Sequence, residues 1–329
     1  MKTFTNANAR DPKQAAGLAQ QARSNGHAPY FNGGGTDLLG LVKERIVQPD
    51  VLINLRTLKG LDQVTSASGG VSIGGQISLD ALSHDPRIRR DYPVLAEAAE
   101  SVATQQIRNF GTLAGNVCQR PWCWYFRNGF PCYKAGGSQC FSITGENRFH
   151  AIFGGGPSFI VHPSDTAPAL VALDAQFHIV GPTGERTVPA ADFFVLPKQN
   201  AARENVLAED EVLASIQLPA PRAGTRSTYH KELDREAWTH AVVSAAVVLE
   251  MDKDICRSAR MVLGGVAPIP WRVPDAERLL ANQRITPELA AKVADAALAG
   301  ANPLAKNAYK IPLTRAIVQR TALALGIRA

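Results

Sequence analysis

Residues 219–224 read Pro-Ala-Pro-Arg-Ala-Gly, a run that neither a helix nor a central strand tolerates, and the sequence obeys different rules on its two sides. Before it, short apolar stretches alternate with glycine turns. AAGLAQQARS predicts a helix ending at Asn25-Gly26, APYFNGGGTDLL a strand running into a glycine turn, and VLINLRTL a further strand. GGVSIGGQISLDAL alternates with period two at Val71, Ile73 and Ile77, and YPVLAEAAESVA predicts a helix. PALVALDAQFHIVGPTGERTVPAADFF predicts a helix, a strand, a turn and a strand, and LAEDEVLASIQLP an edge strand. After the breaker run, THAVVSAAVVLEMD and SARMVLGGVAPIPWRV predict long strands, followed by helices at DAERLLAN, TPELAAKVADAALAG and LTRAIVQRTALALG. Strands followed by helices predict a separate α+β domain.

With 329 residues the chain is long enough for more than one core, since single cores stop growing at roughly 250 residues. No fixed-period repeat is present, which excludes solenoids and propellers. Lys and Arg number 35 against 29 Asp and Glu, but the basic residues are scattered and do not interleave with stacking aromatics, so no nucleic-acid partner is expected. The longest apolar run, AVVSAAVV at 241–248, is too short for a membrane span, and the start carries no secretory signal. The expected location is the cytoplasm, or the periplasm by co-export with a signal-bearing partner.

Two loops have the composition of an anion cradle. FNGGGTDLL places Gly33, Gly34 and Gly35 before Thr36 and Asp37, and successive N–H groups in such a turn form a nest for negative charge. NFGTLAGN joins Gly111, Thr112, Gly115 and Asn116. Neither loop has the G-x-G-x-x-G or Gly-Lys-Ser/Thr pattern, which argues against nicotinamide dehydrogenases and P-loop NTPases. The two loops together could meet one extended dinucleotide. In HPSDTAPAL, Ser164 or Asp165 is positioned to cap a helix or touch a ligand.

Four of the five cysteines, Cys118, Cys123, Cys132 and Cys140, lie within 23 residues. The spacing is too irregular for paired zinc knuckles and admits a 4Fe-4S cluster, with zinc, free thiols or disulfides as alternatives. Trp122, Trp124, Tyr125 and Phe126 would exclude water there or form a small aromatic core. Cys256 reads as a small buried hydrophobe on a strand.

FNGGGTDLLGLVK, VLINLRTLKGL, SIGGQISLDAL, QIRNFGTLAGNV, HPSDTAPALVALDA and VLGGVAPIPWR, in this order over nearly the whole chain, resemble the FAD-binding medium subunit of the molybdenum hydroxylases, the family of xanthine dehydrogenase and carbon monoxide dehydrogenase. The resemblance implies an α+β fold: a two-lobed FAD-binding domain of vanillyl-alcohol-oxidase (PCMH) type over 1–222, with lobes of about 1–60 and 61–222, and a smaller α+β domain of CO dehydrogenase flavoprotein type over 223–329. It implies that Gly33, Gly34, Gly35, Thr36, Asp37, Gly111, Thr112, Gly115 and Asn116 hold the FAD diphosphate. It further implies that Ser164 and Asp165 hold the ribityl region and that Lys231 lies near the isoalloxazine.

The cysteine loop over 116–150 looks like that of the aldehyde oxidoreductase branch, which implies a 4Fe-4S cluster on Cys123, Cys132 and Cys140. In a related reductase the fourth cysteine stands where this chain has Phe149, which leaves Cys118 as the implied fourth ligand. The implied function is electron transfer, with no catalytic side chain of its own. The partners are a large molybdenum-cofactor subunit that oxidises an aldehyde, a small subunit with two 2Fe-2S clusters, and an external electron acceptor. The alternatives are the equivalent subunit for an aromatic thioester or a purine, and a zinc-stabilised scaffold.

Overall fold

The computed structural model describes residues 2–67, 69–236 and 238–327. At the N-terminus, strand Val51–Asn54 lies between Thr5–Asn8 and Pro29–Asn32 and runs parallel to both. Parallel neighbours need a crossover, and helix Pro12–Ser24 supplies one. Asp11 caps it by accepting from Gln14 N at 2.7 Å, and Pro12 occupies the first turn, where its missing N–H costs nothing. Its buried face is Ala15, Ala16, Ala19 and Ala22, small enough for the helix to lie close on Ile53, Leu55 and Leu58. The register aligns Asn8, Asn54 and Asn32 at the carboxyl ends of the strands, so the glycine run opens at the edge where such sheets take ligands.

A second, antiparallel sheet has the order Val64–Ala67, Gly70–Gly74, Val212–Pro219, Gln176–Val180, Glu185–Pro189. The strand expected at an edge, Val212–Pro219, is its centre. Its inward residues Leu213, Ile216 and Leu218 are buried. The polar AEDE that precedes it belongs to the approach rather than to the strand. Helices Leu79–His84, Pro93–Glu100, Leu113–Val117 and Thr166–Ala172 cover this sheet, and Leu82, Leu95, Leu113, Leu170 and Phe177 share its core.

The third sheet pairs Thr225–Glu232, Val243–Asp252, Ile255–Gly264 and Trp271–Arg272 antiparallel, with the short strand Gln283–Arg284 against Ile255–Gly264. Val243–Asp252 is apolar almost throughout because both of its faces are covered. Ala245, Val247 and Leu249 pack with the C-terminal helices, while Ala246 and Val248 join the core of the preceding domain. Helices Pro274–Leu280, Pro287–Ala297 and Lys310–Ile327 form the outer layer. Cys256 is fully buried on its strand, with Sγ 3.3 Å from the Ser258 carbonyl oxygen. No helix among the described residues is long and apolar enough to cross a membrane.

Candidate functional site

Strand Pro29–Asn32 delivers the chain into Gly33–Asp37, and none of the five backbone N–H groups from Gly33 to Asp37 has an acceptor among the described residues. Gly33, Gly34, Gly35 and Asp37 are half-buried and Thr36 is exposed, so these successive donors are open to an acceptor from outside the chain, in the manner of an anion nest. Gly35 has φ +73°, in the left-handed region, and a Cβ on Gly34 would run into the Phe110 carbonyl. The glycines therefore let this loop pack backbone against backbone on Phe110-Gly111. That contact brings the two sequence loops together.

In the second loop, Thr112 Oγ1 accepts from Gly115 N at 3.1 Å and starts the short helix Leu113–Val117. Asn116 Oδ1 then accepts from Ser164 Oγ at 2.6 Å and Thr166 Oγ1 at 2.7 Å. Ser164 Oγ also accepts from Ala167 N at 3.0 Å, so this hydroxyl caps helix Thr166–Ala172 and anchors Asn116 at once. Asp165 is engaged on both oxygens. Tyr229 donates to Oδ1 at 2.7 Å and Lys231 Nζ to Oδ2 at 2.7 Å, with Lys231 also donating to the Ser101 carbonyl at 2.9 Å. Burial first, then the Asp165 charge, push the Tyr229 phenol well above its ordinary pKa. Lys231 itself lines a separate groove with Glu100, Thr104 and Arg108.

Asp37 also faces the protein. Its Oδ1 accepts from Arg127 Nη2 at 2.6 Å and its Oδ2 from Arg120 N at 3.0 Å, which ties the glycine loop to the cysteine-rich excursion. Arg120 forms an ion pair with Glu204 at 3.1 Å, and its guanidinium carbon stands 4.7 Å over the Phe126 ring. Glu204 also pairs with the buried Lys134 at 3.0 Å. Arg120, Arg127 and Glu204 were invisible to motif reading because their partners lie 83, 90 and 70 or more residues away in sequence.

The glycines and hydroxyls of both loops line one cleft of about 540 Å³, with Tyr30, Gln119 and Arg120. A second cavity of about 330 Å³ continues it, sharing Thr36, Asp37, Asn116 and Gln119, and reaches Asp165, Trp122 and Trp238. Free donors at one end and a mainly apolar chamber at the other fit a dinucleotide with a flat ring. Asn32 Oδ1, buried without a partner at the cleft wall, offers an acceptor to a sugar hydroxyl. These residues fit FAD.

The expected 4Fe-4S site is not formed. Among the described residues no three His, Cys, Asp or Glu side chains gather closely enough to hold a metal ion, which also removes the zinc alternative. Each cysteine is occupied elsewhere. Cys118 ends helix Leu113–Val117 and packs on the core of the second sheet, and burial pushes its thiol up to about 12. Cys132 belongs to an apolar cluster with Leu41, Val42, Val47 and Phe126. Cys123 Sγ lies 3.4 Å from His150 Nε2, and burial first raises this thiol to about 11 and lowers the imidazole to about 4. Cys140 Sγ lies 3.1 Å from Ser142 Oγ. All five cysteines are unpaired. What organises the excursion is an aromatic core: Phe130 stands edge-on to Tyr125 and to Phe141, with ring centroids 5.3 and 5.0 Å apart.

Residues 4–221 match the FAD binding domain in molybdopterin dehydrogenase, and residues 228–325 match the CO dehydrogenase flavoprotein C-terminal domain. The aldehyde oxidoreductase FAD-binding subunit PaoB of Escherichia coli K12 is 37% identical over 320 residues, covering 96% of both chains. The carbon monoxide dehydrogenase medium chain of Hydrogenophaga pseudoflava is 29% identical, over 82% of this chain and 78% of its own. A solved structure of carbon monoxide dehydrogenase from the same organism superposes with a TM-score of 0.77 at 27% identity, covering 98% of both chains. The fold of this chain is thus an FAD-binding domain followed by an α+β domain of the CO dehydrogenase flavoprotein type. The chain belongs to the FAD-binding medium subunits of the molybdenum hydroxylases, oxidoreductase complexes of several subunits that include one carrying the molybdenum cofactor.

Proposed function

We propose that this chain serves an oxidoreductase whose molybdenum subunit converts aldehydes to carboxylic acids, that it takes electrons from a small subunit with two 2Fe-2S clusters, and that it passes them to an external acceptor. The observation that carries the aldehyde assignment is the 37% identity to an aldehyde oxidoreductase subunit over 96% of each chain, against 29% to a carbon monoxide dehydrogenase chain. Bound FAD supplies the chemistry of accepting electrons singly and releasing them in pairs.

The protein's own part is binding and positioning. The free N–H groups of Gly33–Asp37 receive the diphosphate, with no side-chain charge needed. Asn116, whose Oδ1 accepts three hydrogen bonds from Ser164 and Thr166, fixes the wall past which the ribityl chain runs. Asp165, at the chamber's lining, and Lys231 neutralise each other and tie the C-terminal sheet to the FAD-binding domain.

The test is the purified native complex assayed with aldehydes, carbon monoxide and purines, with an artificial acceptor. Aldehyde turnover that falls in a Gly34→Ala complex of unchanged molybdenum content is expected. Turnover of carbon monoxide or a purine without aldehyde turnover contradicts the assignment.

A further inference from the structure

The 330 Å³ chamber that continues the cleft has features that diphosphate binding does not use. Its walls come from separate segments: Val102 and Ile107 from the helical layer, Trp122 from the cysteine-rich excursion, and Trp238 with His240 from the connection between strands Thr225–Glu232 and Val243–Asp252. Both indoles remain 45% and 58% exposed, although each has a large apolar surface to gain from burial.

The two are held in different ways. The Arg127 guanidinium carbon stands 4.3 Å over the Trp122 ring, and the His240 ring lies 5.4 Å from it at 36°. Arg127 is the side chain that pairs with Asp37, so Trp122 is fixed relative to the glycine loop. Trp238 instead sits at φ +59°, and its N–H points at the carbonyl of Ala103, itself at φ +44°, 3.5 Å away. Two non-glycine residues in the left-handed region, joined across one cavity, are backbone strain of the kind that collects at ligand clamps.

We infer that Trp122 and Trp238 are the two walls that contact the flavin ring, and that they set how much of that ring an external acceptor reaches. This rests on the reading of the cleft as the FAD site. The chamber opens from the diphosphate cleft through Thr36 and Asn116, so a flavin anchored on the glycine loop extends its ring into it. A flat ring with an apolar dimethylbenzene end and a polar pyrimidine end matches a lining that mixes Val102, Ile107 and the two indoles with Asn116 and Gln119, and it gives both exposed indoles a surface to cover.

The test uses the native complex carrying Trp122→Phe with Trp238→Phe, and separately Trp124→Phe. Trp124 is 67% exposed on the same excursion and does not line the chamber. The readouts are FAD per complex after acid release and fluorescence yield per bound FAD, because an indole in contact quenches an excited flavin and a phenyl ring does not. A severalfold rise in the double variant, with Trp124→Phe unchanged, is expected for loss of two contacting indoles. Loss of FAD from the double variant alone supports the same contact. An unchanged yield with FAD retained, or an equal rise in Trp124→Phe, overturns the inference while leaving the FAD site intact. A wild-type complex with no FAD in this chain overturns the underlying reading instead.

Discussion

Lys231 Nζ lies 2.7 Å from Asp165 Oδ2, with both side chains 4% exposed, and the pair joins a strand of the C-terminal sheet to a helix start in the FAD-binding domain. Removing one member leaves a buried charge without its counter-ion. Lys231→Ala should therefore cost about 3–5 kcal/mol, whereas Asp165→Leu with Lys231→Met should recover most of it. Urea midpoints of the three proteins check this, and a Lys231→Ala midpoint equal to wild type contradicts it.

Gly34→Ala places a methyl group against the Phe110 carbonyl, while Gly184 has open space around its Cβ position. The first substitution should part the two cleft loops and lower FAD content several-fold, and Gly184→Ala should keep it. Flavin absorbance per protein decides between these outcomes.

Arg127 is almost fully buried, and its ion pair with Asp37 connects the glycine loop to the excursion over 119–150. Arg127→Ala removes a charge-assisted hydrogen bond of about 1.5–3 kcal/mol. Limited proteolysis should then cut within 119–150 about tenfold faster or more, by the corresponding population of open loop. Cleavage at the wild-type rate would place the anchor elsewhere.

Burial, the largest cause at each site, holds His150 at about 4 and His162 at about 3, both below the ordinary imidazole value. A histidine depressed in the fold stays neutral there while the unfolded chain takes a proton. The stability it contributes is present above about pH 6.5 and is lost as pH falls through the window down to about 4 and 3. By pH 5 the loss should be about 2 kcal/mol for each histidine. Denaturant midpoints at pH 7 and pH 5 read it, and equal midpoints would contradict neutral burial.

How much the sequence disclosed depends on how far apart the interacting residues are. The glycine loops were legible because positive φ and close backbone approach have few solutions, and the structure packs Gly34 on Phe110-Gly111. The strand Val243–Asp252 was legible from its unbroken apolar run, though only packing shows that alternate residues serve two different cores. Val212–Pro219 was misplaced as an edge because the acidic approach hid a strand that returns from far along the chain to the sheet centre. Asp37 was expected beside the FAD diphosphate from its place in the glycine loop; its carboxylate partners Arg120 and Arg127 lie on a loop whose path no local pattern specifies. The cysteine spacing suggested convergence. Instead, aromatic packing and separate apolar clusters take the thiols to different neighbours.

The central claim is that the unpaired N–H groups of Gly33–Asp37 receive the diphosphate of FAD. An experimental density map of the native complex tests it directly. The diphosphate should lie within hydrogen-bond distance of those amides, with the ring in the chamber beyond Asn116. A flavin diphosphate bound elsewhere, or flavin carried only by another subunit, would contradict it.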